Sequence, residues 1–325
     1  MGFNQPIVAS LVSVFDSRVQ GREKYKTMNY IDQQFEAFAS SFYVMELIGL
    51  AFLVLILAET AWDLYTKKRP SYGESAGNIL MAVGNHFLER TTYGLVFILG
   101  VFIAQSFAFA SIPHAWWSWV LAILVADLTY YWMHRLEHEI RILWAYHSVH
   151  HSSPEFNLTT SLRLAWIEGA IEWLFFVPMV LMGFSAIQTI IGISIVVLYQ
   201  TWIHTERVGK LGWADRIFNT PSVHRVHHGS NKQYHDKNYG GILILWDRLF
   251  GTYKTEEEKV IYGITTPVGT WNPIALNVHE FWQIAKDVRN AKSIGDAFSH
   301  VFKSPGWKPE TQIDNQSQSS GRKNR

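Results

Sequence analysis

Apolar residues in this chain come in long blocks separated by polar stretches, and five blocks approach the ~20 residues a helix needs to cross the hydrocarbon core of a bilayer. They are 42–62, 92–111, 115–133, 164–183 and 186–203. The connections at 111–114 and 184–185 are tight, so the last four blocks pair into two hairpins. A further apolar stretch at 7–15 is too short to span and lacks the basic segment that opens a signal peptide. This pattern predicts an all-α fold: a polytopic membrane helical bundle of about four to five spans in hairpins. It divides the chain into an N-terminal tail and interfacial helix (1–41), a membrane-embedded domain (42–303) and a polar, disordered tail (304–325).

Charge orients the bundle. Lys67, Lys68, Arg69 and Arg90 follow the first block, the two tight connections carry no Lys or Arg, and the chain beyond 204 is rich in both. Basic loops stay on the cytoplasmic side. The 63–91 connection, the 134–163 connection and the C-terminal region are therefore expected in the cytoplasm. Arg18, Arg22, Lys24 and Lys26 run against that arrangement if the number of spans is odd. Trp116, Trp117 and Trp119 would anchor one membrane boundary.

Composition narrows the chemistry. Hydrophobic residues make up 48% and charged residues 17%, which is unusual for a soluble domain. The net charge of +1, with no basic run interleaved with aromatics, gives no reason to propose nucleic acid as a partner. Cysteine is absent, so disulfides, iron–sulfur clusters and thiol nucleophiles are excluded, and any metal must be held by nitrogen and oxygen.

The chain has fourteen histidines, and eight fall in three clusters: HRLEH at 134–138, HSVHH at 147–151 and HRVHH at 224–228. Residues three and four apart share a helix face. His134 and His138 thus converge, and His147, His150, His151 and His224, His227, His228 each project several imidazoles to one side. His204 closes the last apolar block and makes nine. Nine nitrogen donors exceed what one four- to six-coordinate ion uses, so two metal ions are implied, in a cytoplasmic helical cap. Imidazole suits Zn, Cu, Fe and Ni alike. A zinc hydrolase or transporter is the alternative, although HExxH is missing and the histidines sit at the ends of the blocks rather than mid-membrane. Asp127, seven residues before His134 and inside an apolar block, is a candidate to accept the second N–H of a ligating imidazole, with a hydrogen bond to a neighbouring Tyr or Trp as the competing role. Glu206 is expected to orient His204 or a nearby cation. Glu168 and Glu172, four apart in an apolar block, are expected to pair with Arg163 or a lipid headgroup. Asp236 and Asn238 suit either a polar headgroup or the turn before Gly240–Gly241.

The segments YYWMHRLEHE (130–139), HSVHHSSPEFNLTTSLR (147–163), WIHTE (202–206) and NTPSVHRVHHGSNKQYHDKNYGGILILWDRLFGTY (219–253) resemble the integral-membrane fatty acid hydroxylase/sterol desaturase superfamily, and within it the alkylglycerol monooxygenase branch. The resemblance covers roughly 42–255. It implies two Fe ions held by His134, His138, His147, His150, His151, His204, His224, His227 and His228, with Glu139 and Asn157 as further catalytic positions and His235 outside the set. It also implies O2-dependent hydroxylation of a membrane lipid: an ether lipid, or alternatively an acyl lipid of the ornithine-lipid type or a sterol. No nucleotide fingerprint, haem segment or cysteine is present to carry electrons. An external reductant is therefore expected, either a tetrahydropterin or a cytochrome or ferredoxin system.

Overall fold

The computed structural model describes residues 43–44, 47–66, 72–88, 91–92 and 94–309, and no strand occurs among them. In chain order the helices are α1 (Leu47–Thr66), α2 (Gly73–Leu88), α3 (Gly94–Gln105), α4 (Trp116–Glu139), α5 (Arg141–His151), α6 (Glu168–Ile171), α7 (Trp173–Leu181), α8 (Ala186–Thr201), α9 (Pro221–His227), α10 (Leu245–Phe250), α11 (Pro273–Arg289) and α12 (Ile294–Phe302). The chain divides at Leu50/Ala51 into two units, and the histidine clusters and core lie in the second. The expected 1–41 tail and interfacial helix, its basic residues, Lys67, Lys68, Arg69, Arg90 and residues 310–325 lie outside the described residues.

Small residues set the central crossing. On α8, Gly192 stands so close to α4 that a Cβ there would meet Ala122 O and Ala126 Cβ, both at 3.1 Å. The helices pack backbone to backbone, as small residues allow. Met133, Phe176, Met179, Phe184 and Val196 fill in around this contact, and the buried Gln188 amide donates to Ser118 Oγ at 2.8 Å. Ser185 and Gln188 close α8's amino end with a reciprocal capping box.

Apolar composition overstated helix length in two of the blocks, 92–111 and 164–183. Among the described residues, α1 alone is long and apolar enough to cross a membrane by itself. The 92–111 block yields the 12 residues of α3, about 18 Å at the α-helical rise. It stops because Gln105 turns its side chain to accept from Ala186 N (2.9 Å), while residues 109–112 run beside 181–183 through Phe109 N–Leu181 O and Ile112 N–Gly183 O, both 2.9 Å. The 164–183 block breaks into α6 and α7, with Glu168 accepting from Ala165 N and Pro178 inside α7. Hydropathy reports what a residue prefers as surroundings, not whether its backbone stays helical.

The polar connection between the first two blocks contains the 16-residue α2. Its Glu74 and Asn78 grip the buried guanidinium of Arg163 at 2.8 and 3.0 Å, and Arg163 also donates to Val149 O and Ser152 Oγ, each at 3.0 Å, at the carboxyl end of α5. Arg163 therefore braces α5 from α2 and is not the partner of Glu168 or Glu172. From another side, Arg141 at the start of α5 pairs with Glu280 (2.9 Å) and Asp287 (2.7 Å) of α11.

Candidate metal centre

Four short pieces of chain supply the nine imidazoles. His134 and His138 stand one turn apart at the end of α4, and α5, which follows after Ile140 alone, carries His147, His150 and His151. His204 lies just past α8; α9, opened by Pro221 at its first turn, presents His224 and His227 and ends at His228. All nine are buried. They sort into a group of five (His134, His138, His147, His151, His227) and a group of four (His150, His204, His224, His228), within each of which the ligating atoms all lie within 4.8 Å of one another. The groups abut: the His151 and His228 rings stack at 4.3 Å.

Backbone carbonyls determine which nitrogen faces inward. His134 Nδ1 bonds Tyr239 O (2.9 Å), His204 Nδ1 bonds Gln200 O (2.7 Å) and His227 Nδ1 bonds Lys237 O (2.9 Å). A carbonyl only accepts, so these Nδ1 atoms carry the protons and the Nε2 lone pairs point into the clusters. There His134 Nε2 stands 3.1 Å from His147 Nε2, and His204 Nε2 stands 3.1 and 3.0 Å from His150 and His224 Nε2. His138 and His227 Nε2 are buried with no hydrogen-bond partner. Converging lone pairs and orphaned acceptors are what a cation would satisfy, so the donor set fits a metal ion in each group.

Burial keeps the rings neutral, the form that ligates. It pushes His134 and His204 down to about 4 and holds the other seven well below the ordinary imidazole value. Unfolded histidines protonate near ~6.5, so between the two values the unfolded chain binds more protons than the native one and stability falls as pH drops. Acidifying the metal-free protein from pH 7 to 5 is expected to lower its unfolding temperature, and acidifying the metal-loaded protein to release metal over the same window. A change from pH 7 to 8 is expected to do neither; circular dichroism melts and metal analysis after desalting check both.

The 236–247 loop aims the anchoring carbonyls. Asp236 and Asn238 adopt left-handed φ values of 57° and 59°, and the Asn238 side chain donates to Val223 O (3.0 Å) and Lys254 O (2.7 Å). Of the two roles open to these residues, the structure places them in the turn. Asp247 accepts from Tyr239 N and Gly240 N, both at 2.8 Å. Of the two roles open to Asp127, it takes the hydrogen bond to a neighbouring tryptophan, accepting from Trp246 Nε1 (2.8 Å) and also from Ile242 N (2.6 Å) and Leu243 N (3.0 Å). Its reach to the site is indirect, through the loop that holds His134. Gly241 is small for this reason, since a Cβ there would meet Asp127 Oδ1 at 2.8 Å.

Other expected positions have partners other than the imidazoles. Glu139 is exposed and pairs with Arg135 at 2.8 Å. Glu206 is exposed and takes the Tyr262 hydroxyl at 3.1 Å, whereas His204 is oriented by Gln200. Asn157 accepts from Thr159 N (3.0 Å) and Thr159 Oγ1 (2.6 Å), capping the turn at 158–162. The carboxylate that does reach the centre is Glu137. It is fully buried, its Oε2 lies 3.3 Å from His147 Nδ1, and its Oε1 takes the Tyr146 hydroxyl at 2.8 Å. Burial and the neighbouring Glu172 hold it well above the usual carboxylate range, a cost that a cation behind His147 would offset. Glu137, Glu168 and Glu172 influence one another electrostatically, whereas Arg163 is taken up by Glu74 and Asn78. Helical spacing carried a signal for Glu137, which stands three residues after His134 and beside His138.

A cleft of about 950 Å³ opens next to the four-histidine group. Its floor is Phe156, whose ring lies 5.0 Å from His228 and stacks on Tyr262 at 4.9 Å. Glu59, Asp63, Asn157 and Arg207 line its polar side, where Arg207 pairs with Asp63 and Glu59 fixes Leu158 N (2.6 Å) and Thr205 Oγ1 (2.7 Å). Glu59 is an acid inside an apolar block whose role hydropathy did not suggest.

Over 225 residues the chain is 41% identical to the alkylglycerol monooxygenase of Homo sapiens, covering 68% of this chain and 48% of the relative. It is 45% identical over 213 residues to that of Danio rerio (64% and 47%) and 32% identical over 136 residues to an ornithine lipid hydroxylase of Rhizobium tropici (41% of each). The chain spans about half the length of these alkylglycerol monooxygenases. No solved structure matches it. Residues 119–252, which hold all nine imidazoles, match the fatty acid hydroxylase family.

Proposed function

We propose that this protein is an integral-membrane, O2-dependent di-iron monooxygenase that hydroxylates a C–H bond of a membrane lipid, most specifically the ether-bearing carbon of an alkylglycerol. The observation that carries this reading is the pair of abutting, buried, all-imidazole groups. They offer neutral nitrogen donors to two ions and no thiolate. Two ferrous ions held there supply the O2 chemistry: R–H, O2, two electrons and two protons yield R–OH and water. The protein's own part is to fix the donors through the carbonyls of Gln200, Lys237 and Tyr239, to set Glu137 behind His147 and to exclude bulk water by burial. Hydroxylation next to an ether oxygen gives a hemiacetal, which collapses to an aldehyde and glycerol.

Electrons come from outside the chain, from a tetrahydropterin or from a cytochrome or ferredoxin system. The similarity to alkylglycerol monooxygenases supports the ether substrate, while the ornithine lipid hydroxylase supports acyl-lipid hydroxylation as the second reading. Apolar α1, the shorter apolar α3 and α8, and exposed Trp116 and Trp117 at the start of α4 support membrane embedding; about four to five passes, with the imidazoles at the cytoplasmic face, is the arrangement proposed from hydropathy and loop charge.

The test is to purify the full chain anaerobically, load it with Fe(II), and supply reductant, ¹⁸O2 and an alkylglycerol. Labelled aldehyde is the expected product. A hydroxylated acyl lipid with no aldehyde selects the second reading, and stoichiometric zinc with no O2 uptake after iron loading overturns both.

A further inference from the structure

Helices α11 and α12 present apolar residues on both sides. Inward, Leu276 and Ile284 of α11 and His300 of α12 are buried against the protein. Outward, α11 exposes Ile274, Val278 and Trp282, and α12 exposes Ile294 (91%), Phe298 and Phe302. Each triplet steps by four residues, which makes a continuous stripe along one helix face. Water on that side would call for polar residues at these positions.

The charges are sorted as well. Both acids of α11, Glu280 and Asp287, are turned onto Arg141. Asp296 of α12 sits in that helix's first turn, where a carboxylate complements the dipole. Lys286, Arg289, Lys292 and Lys303 remain exposed at the ends of the two stripes. Lys286 Nζ lies 5.6 Å over the Trp282 ring and Lys303 Nζ 4.8 Å over Trp307. Four charged residues within its 17 positions make α11 unsuited to span a bilayer. Exposed apolar stripes ending in outward lysines, arginine and tryptophan suit a helix lying in the interfacial plane of an anionic membrane. Both helices pack on α5, which follows α4 after a single residue, and α4 is the expected span whose end bears His134 and His138.

We propose that α11 and α12 form a docking surface for the anionic bilayer, their apolar stripes immersed at the headgroup–acyl boundary and Lys286 and Arg289 on the lipid phosphates. The inference rests on the membrane reading above. Through the Arg141 pairs it also gives α5, which carries three of the nine imidazoles, a brace at the membrane surface.

Because the chain has no cysteine, single nitroxide labels are clean. The full-length protein labelled at V278C, F298C or, as a control in α3, L99C is placed in nanodiscs of phosphatidylcholine with or without phosphatidylglycerol. Relaxation by O2 is compared with relaxation by a water-soluble Ni(II) chelate. The expected result is that labels at 278 and 298 favour O2 by about fivefold or more in the anionic discs, as at an immersed helix face, and that K286E/R289E abolishes this while the label at 99 stays in lipid. Chelate access at 278 and 298 with 99 in lipid overturns the docking surface alone. Lipid contact that ignores both phosphatidylglycerol and K286E/R289E overturns the anionic assignment, and dipolar broadening between copies overturns it in favour of a second chain. Chelate access at all three positions overturns the membrane reading itself.

Discussion

Replacing His224 by alanine is expected to leave about one iron per chain instead of two and to lower turnover by at least about 10³-fold. His224 is one of only four donors in its group, and His204 and His228 both set their Nε2 atoms against it, at 3.0 and 3.1 Å. Removing it leaves three imidazoles and a buried gap beside the Asn219 carboxamide, whose Nδ2 lies 3.4 Å from His224 Nδ1 and which is a weaker ligand than imidazole. The five-histidine group behaves differently, since H138A leaves four donors there; metal is expected to be retained in part while activity falls. H235A is the matched control. That imidazole is exposed and bonds only Ser230 O (2.9 Å), so iron content and rate should stay within about twofold of the parent. Metal analysis of anaerobically loaded protein and a single-turnover assay read both quantities. Loss of both irons in H235A, or full retention in H224A, would sink the assignment of ligands.

Replacing Glu137 by glutamine should weaken metal affinity about 10- to 100-fold, the usual effect of removing a carboxylate behind a ligating histidine. The same change at Glu139 should be almost silent, because its ion pair with Arg135 is exposed and such pairs contribute roughly 0–1 kcal/mol. The two variants separate Glu137 from Glu139, the acid that the family resemblance implied as a catalytic position. E137D serves as the rescue: a shorter carboxylate that recovers part of the affinity shows that the charge matters, whereas equal losses in E137D and E137Q show that shape does. Y146F removes the hydroxyl that holds Glu137 Oε1 at 2.8 Å and should move affinity in the same direction by a smaller factor. Competition titration against a chelator measures each without depending on the lipid substrate.

How much of this was legible depends on the range of each interaction. Spacings of three and four residues are local, so HRLEH, HSVHH and HRVHH place imidazoles on shared faces before any tertiary contact forms. The breaks in the apolar blocks are not local. The helix from 94 ends where Gln105 meets Ala186, and the 164–183 block bends around Glu168. Asp127 was legible as an acid that needs partners, but its partners are backbone groups 115 and 116 residues downstream.

By itself the sequence pointed to a helical fold, excluded cysteine sulfur as a donor to any metal, and offered histidines in number enough for two ions, because composition and helical periodicity are properties of neighbouring residues. Only the tertiary structure decided that His227 leaves its neighbours His224 and His228 to join His134, that Glu137 rather than Glu139 faces the centre, and that carbonyls of a distant left-handed turn fix the tautomers. A single helical turn directs side chains around its axis, and which of them meet is decided by what packs against it.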